Sequence, residues 1–362
     1  MSRLRLLLCA LPVCLILAGW WSAREATAAR ARRGGDLIAM LPGALPALNP
    51  FHPASAFEQE LVDLMYEPLI KAGTSGQIEP ALATHWEWSQ QITCWFATPE
   101  MAGKAADHLR SLDADRWISL DLDEVNTNGS QLVLRFGSPT GDGPDSALKE
   151  VAAFDPLPVD FVRVQVKDQA RSYHEHFIVN AVEREHIRRA WFDPTGQTSE
   201  LVICGTPGDA VEELRQYYRG QPELSAVIQV LDTVTALREP VLDFRLTPDR
   251  TWPDQSAVTS TDVSTTVQHV QRHRIPVPNL DAFNAIHSLE MPAPQRLRVI
   301  YRRFQGAALT AWMRLPILPA AWLELHGSSA EPPTPPGTGP FRQTLRKDNT
   351  LILDAAPGAP PR

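Results

Sequence analysis

Proline occupies 32 of the 362 positions, well above the roughly 5% of ordinary proteins. Each proline fixes φ and removes a backbone donor, which disfavours a helical bundle or coiled coil. A mixed fold of short helices and strands with irregular connections is what such a chain can build. Apolar residues (44%) suffice for ordinary cores, and the length suits two or three domains. Lys and Arg number 34 against 42 Asp and Glu, a formal charge of −8. That balance argues against a coat for nucleic acid or an anionic membrane, since both need a basic face.

The N-terminus reads as an address. Arg3 and Arg5 precede an apolar run from Leu6 to Trp21, and Ala26-Thr27-Ala28 supplies the small residues of a cleavage site. Residues 1–28 are therefore expected to be a secretory signal peptide. The alternative is a retained anchor over residues 4–21, at the short end of the roughly 17–25 residues that cross a bilayer. Either way the chain is expected outside the cytoplasm. Cleavage would leave Cys94 and Cys204, which either pair in an oxidising compartment or remain buried thiols.

Along the mature chain, Gly35–Leu41, Leu132–Phe136, Val159–Val166, Phe177–Val179, Leu201–Cys204, Val227–Val234, Val241–Leu246, Leu297–Tyr301 and Leu351–Leu353 read as strands. Helices are expected over 56–70 (capped by Ser55), 99–112, 209–218, from Ser260 or Thr261 to His273, and over 308–315. Ile78–Trp88 reads as a helical turn running into a strand. Two β-runs around the 209–218 helix suggest a small α/β sandwich between residues 98 and 238.

Two sets of motifs flank that region. The first holds Gly34-Gly35-Asp36-Leu37, Leu48-Asn49-Pro50, Tyr66-Glu67-Pro68-Leu69-Ile70, Gly76-Gln77-Ile78-Glu79-Pro80 and Trp86-Glu87-Trp88-Ser89. The second holds Phe244-Arg245-Leu246-Thr247-Pro248, Trp252-Pro253-Asp254, Thr261-Asp262-Val263, Leu315-Pro316-Ile317-Leu318-Pro319 and Gly337-Thr338-Gly339-Pro340-Phe341. In order and character these resemble the first lobe of family 5 extracellular solute-binding proteins, which deliver dipeptides, oligopeptides or nickel complexes to ABC importers.

The resemblance implies a periplasmic-binding-protein-like (type II) α/β first lobe over 29–97 and 239–354. An α+β domain is inserted over 98–238, and 355–362 form a disordered tail. It implies an oligopeptide or similar small solute as ligand, an ABC importer permease as partner, and no cofactor or catalysis. Contact with a membrane would come only through the importer or an uncleaved anchor. Leu48, Asn49 and Pro50 are the expected ligand-facing turn, and Gly337, Thr338 and Gly339 the approach to the hinge. Tyr66, Glu67, Pro68, Trp252, Asp254 and Asp262 are expected to be structural. In the family, Gly337-Thr338-Gly339-Pro340 lies before the crossing into a second lobe, so this chain is expected to lack that lobe and to bind peptides weakly or not at all by itself. Gln255 stands where the family usually has glycine.

Other chemistry has less to build on. Asp254 and Asp262 form a carboxylate pair on paper, but Asp262 suits the start of a helix. Tyr66, Trp86, Trp88 and Trp252 fit a core better than a stacking platform. His174, His176 and His186, with neighbouring glutamates, are weak metal candidates lacking an HExxH pattern. The leading expectation is a solute-binding component. The alternatives are an exported adaptor whose inserted domain binds a protein partner, and a metal-dependent enzyme on the histidine cluster.

Overall fold

A computed structural model describes residues 48–138, 141–166, 187–192, 198–204, 207–220, 222, 225–329, 333–347 and 350–356. The chain divides into two units, Met1–Pro46 with Lys347–Thr350, and Ala47–Arg346 with Leu351–Arg362. Of the first unit only Lys347 and Thr350 lie among the described residues. The expected signal peptide, the strands expected over 35–41 and 177–179, and the expected cluster of His174, His176 and His186 all lie outside them.

Helix α1 (Ala56–Met65) starts where Ser55 Oγ accepts the Glu58 N–H at 3.2 Å. It stops five residues before the expected Ile70, because Tyr66 swings to φ −125°, ψ 147° ahead of Glu67-Pro68. Strands β1 (Ile70–Ala72) and β2 (Ile78–Pro80) form a hairpin. Strand β3 (Ala83–Trp95) is extended from its first residue, where a helical turn was expected. Long-range pairing along its whole length overrides the local signal.

Next come α2 (Pro99–Arg110), α3 (Ala114–Ser119), β4 (Leu122–Asn128), β5 (Gln131–Phe136) and α4 (Gly143–Ala152). They are followed by β6 (Val159–Gln165), β7 (Ile187–Phe192), β8 (Thr198–Cys204), α5 (Pro207–Arg219), β9 (Val227–Val234) and β10 (Leu237–Leu246). Helix α5 opens at Pro207, two residues before the expected Asp209, since proline suits the first helical turn. The chain continues through α6 (Ser260–His273), α7 (Leu280–Asn284), β11 (Ile286–Ala293), β12 (Arg296–Tyr301), α8 (Ala308–Trp312), α9 (Ala320–His326), β13 (Phe341–Lys347) and β14 (Thr350–Ala355).

The fold is mixed α/β. A six-stranded antiparallel sheet runs β11-β12-β10-β3-β5-β4. The β3–β10 pairing extends from Ala83 opposite Leu246 to Thr93 opposite Leu237, so the chain leaves and re-enters the sheet on adjacent strands. One face carries Leu242, Phe244, Leu297 and Val299 against Met65, Val263, Val267 and Trp312. Farther along, Ile92, Cys94, Leu132, Leu134 and Phe136 pack under α2 and α4.

The boundary expected at residue 98 thus falls inside a continuous sheet. The strands with a sheet of their own, β7-β8-β6-β9, run from Val159 to Val234. Helix α5 covers one face of this smaller sheet through Val211, Leu214 and Tyr218. On the other face Val159, Val202 and Cys204 meet Trp95 and Leu237 of the larger sheet. Cys94 belongs to a different cluster and carries a free thiol, so it forms no bridge to Cys204. Burial pushes that thiol up to about 12.

Candidate functional site

The motif residues fall into separate constructions. In the first, residues 64–68 are crossed by the segment leading into β13. The Gly339 N–H donates to Met65 O at 2.9 Å, and Tyr66 Oη donates to Pro335 O at 3.0 Å, across 269 positions of sequence. From the other side, the Ile317 N–H donates to Glu67 O at 3.2 Å, and the Leu82 N–H to Pro68 O at 3.2 Å. A Cβ on Gly337 would lie 1.9 Å from Met65 O, so only glycine lets the two backbones approach this closely.

The electrostatics of this crossing follow from its burial. Desolvation drives the Tyr66 phenol well above its ordinary value. Desolvation also raises the Glu67 carboxyl, against the opposing pull of Arg250 at 2.7 Å, the Thr338 hydroxyl and Lys71.

The second construction brings Trp252 and Asp262 together. Asp262 accepts from Trp252 Nε1 (3.3 Å), the Thr259 N–H (2.8 Å) and the Ala320 N–H (2.8 Å), tying the start of α6 to the start of α9. Asp254 stays apart, on an exposed turn. The Ser256 hydroxyl and N–H donate to it and hold its carboxyl below the usual range. Gln255 in the same turn stands at φ 72°.

The Leu48-Asn49-Pro50 turn is closed on itself. Asn49 Oδ1 accepts the Phe51 N–H at 3.0 Å and Asn49 O accepts that of His52 at 3.3 Å. Phe51 is buried beside the His269 ring, while Asn49 is exposed. No hydrogen bond among the described residues joins this turn to Gly337–Gly339. Trp86 and Trp88 are half-buried and pack against the main core. Among the described residues no group of three or more His, Cys, Asp and Glu is arranged to hold a metal.

Sequence reasoning missed the polar face of the larger sheet. Asp243 is clasped by Arg296 at 2.8 Å and by Arg298 at 3.0 Å, and Arg135 pairs with Glu290 at 2.5 Å. Nearby, fully buried Glu239 meets His287 (2.5 Å) and Arg189 (3.4 Å), joining β10 and β11 to β7 of the smaller sheet. The available signal was the strict alternation Asp243, Arg245 against Arg296, Arg298, charges on one side of otherwise apolar strands.

No protein-family model matches the chain. No curated protein matches it either. Solved structures do. NikA from Brucella suis in complex with Fe(III)-EDTA is 13% identical, over 87% of this chain and 34% of its own, with a TM-score of 0.39. The oligopeptide-binding protein AppA from Bacillus subtilis, in complex with a nonapeptide, is 10% identical over 87% and 35%, with a TM-score of 0.37. NikZ from Campylobacter jejuni in complex with Ni(L-His) is 25% identical over 30% and 22%, with a TM-score of 0.27. The chain thus spans between a fifth and about a third of the lengths of these proteins. Among the described residues no helix is long and apolar enough to cross a membrane.

Proposed function

We propose that this chain is an extracytoplasmic solute-binding component of a peptide-type ABC importer, whose described residues form one lobe. The observation that carries this reading is the crossing of Tyr66-Glu67-Pro68 by Gly337-Thr338-Gly339. Two motifs distant in sequence, each weak alone, act there as one packed unit. The continuous antiparallel pairing of β3 with β10 supports the same reading. It lets Trp86-Glu87-Trp88-Ser89 pair with Val241–Phe244 as neighbours while residues 98–236 emerge from its far end.

The ligand in this reading is an oligopeptide or similar small solute, and the partner an importer permease. One lobe offers one wall. Backbone hydrogen bonds made there compete with water and contribute about 0.5–1.5 kcal/mol each, against an association cost of roughly 4–15 kcal/mol. Two or three such bonds barely offset that cost, so affinity for a peptide is millimolar or weaker unless a second wall completes the cleft.

A thermal-shift screen of peptides, sugars and amino acids tests this. At about 10 mM, a peptide with a Kd of about 1 mM stabilises the fold by about 1.4 kcal/mol and raises the midpoint by a few degrees. A peptide shift of the size a micromolar ligand gives, or a larger shift with sugars than with peptides, would overturn it.

A second reading has its own observation. The smaller sheet has a separate core under α5 and presents β9 as an edge strand with Val227, Val230 and Leu231 exposed. An exported adaptor binding a protein partner through residues 159–234 fits that surface. It predicts that this segment alone retains the partner.

A further inference from the structure

Strand β3 has one edge that is only half used. It pairs with β10 from Ala83 to Thr93, but with β5 only from Gln90 to Trp95. Among the described residues no strand pairs with the other edge of residues 84–89. Strand β5 stops at Phe136, opposite Gln90, because the chain is drawn off there. The Gly137 N–H donates to Asp121 O at 3.1 Å and the Ser138 N–H to Asp121 Oδ2 at 2.8 Å. An unpaired row of backbone donors and acceptors is a template for another strand, and edges are usually blunted by Lys or Pro. Thr84-His85-Trp86-Glu87-Trp88-Ser89 has neither.

The two faces beside this edge differ in character. On one lie half-buried Trp86 and Trp88, with Phe304, 63% exposed, tilted against Trp88 at 5.1 Å between ring centres. On the other lie Glu87, Asp121 and Asp123. Burial raises the Asp123 carboxyl, and the neighbouring charges of Asp121, Glu87 and Glu124 raise it further. Glu87 meets His85 at 3.4 Å and Arg245 at 3.8 Å. Arg296 is occupied by Asp243 at 2.8 Å. Neither Asp121 nor Asp123 has a cation within ion-pair distance among the described residues, so the face is left negative.

We propose that residues 84–89 of β3 are a docking edge for an extended peptide segment in which Lys or Arg alternates with apolar residues. Side chains of an added strand point alternately to the two faces. Basic residues then meet Glu87, Asp121 and Asp123 while apolar ones cover Trp86, Trp88 and Phe304, and the backbone completes the ladder. The six residues offer about 20 Å of edge. This inference stands apart from solute binding, because it needs no free peptide terminus and no second lobe.

The probe is a fluorescent hexapeptide alternating Lys and Phe, blocked at both ends and followed by anisotropy with the full chain. Saturable binding is expected. Glu87→Lys and Asp123→Lys each weaken it by about tenfold or more, and Phe304→Ala by about threefold. N-methylation of alternate backbone amides abolishes binding if a ladder forms, and leaves it intact if only charge attracts the peptide. Equal affinity for an alternating Glu and Phe hexapeptide would overturn the proposal. So would undiminished affinity of the N-methylated peptide or of Glu87→Lys, or no saturation with the basic probe.

Discussion

The guanidinium of Arg298 on β12 bonds the carboxylate of Glu124 on β4 at 3.2 Å, although β10, β3 and β5 lie between their strands. Four strand spacings in a flat sheet would hold them about 19 Å apart. The larger sheet is therefore strongly coiled, with its charged side chains meeting across the concave face. Arg135 on β5 reaches Glu290 on β11 in the same way.

Arg298→Met tests what this closure contributes. Arg298 is 9% exposed and also bonds buried Asp243, so its loss leaves two carboxylates short of a partner. Urea unfolding should show a loss of roughly 2–4 kcal/mol. Burial raises the Glu124 carboxyl, but the bonds and charge of Arg298, with Arg135 and Arg296, lower it overall. Its contribution is present above the unfolded carboxylate value and is lost as pH falls through the folded one. The variant should flatten that acid-side decline.

Glu67 predicts the opposite slope. Desolvation raises its carboxyl above the ordinary 4.5 despite Arg250, so stability falls as pH rises from there through the folded value. Glu67→Gln should remove that decline in a pH series of unfolding midpoints.

Gln255→Gly should stabilise. At φ 72° a side chain costs roughly 1–2 kcal/mol, while glycine gives back about 0.5–1 kcal/mol in the unfolded chain. The net gain is about 0.5 kcal/mol, read by chemical unfolding. A loss would mean that the Gln255 side chain supports the turn by contacts that outweigh its strain.

Gly337→Ala should disrupt the crossing by more than about 2 kcal/mol, since the added methyl meets backbone that cannot move aside. Gly103→Ala in α2 is the control. Nothing lies within 4 Å of its Cβ, and alanine in a helix should add about 0.5–1 kcal/mol. Comparable behaviour of the two variants would remove the crossing as the organising contact.

Strand Val159–Gln165, where Val162 and Val164 alternate with Arg163 and Gln165, was legible in the sequence, and so was Val227–Val234 as a run rich in β-branched residues. So was α6, expected from Ser260 or Thr261 with Asp262 at its start, although Thr259 is the residue that caps it. Strand β4 was not, because a bulge between Leu122 and Glu124 breaks the period of two. Strand β7 was hidden by Arg188 and Arg189, the latter paired with Glu239 on β10. The pairing of residues 64–68 with 335–339 is made by backbone groups and glycines, so residue type points to those motifs but not to their contact. The charged concave face depends on sheet coiling, which no local pattern encodes.

The central claim, a lobe that holds peptides weakly by itself, is tested most directly by calorimetric titration of the full chain with di- to pentapeptides. The account predicts a Kd of about 1 mM or weaker. Micromolar or tighter binding of a peptide by this chain alone, or a sugar bound more tightly than any peptide, would contradict it.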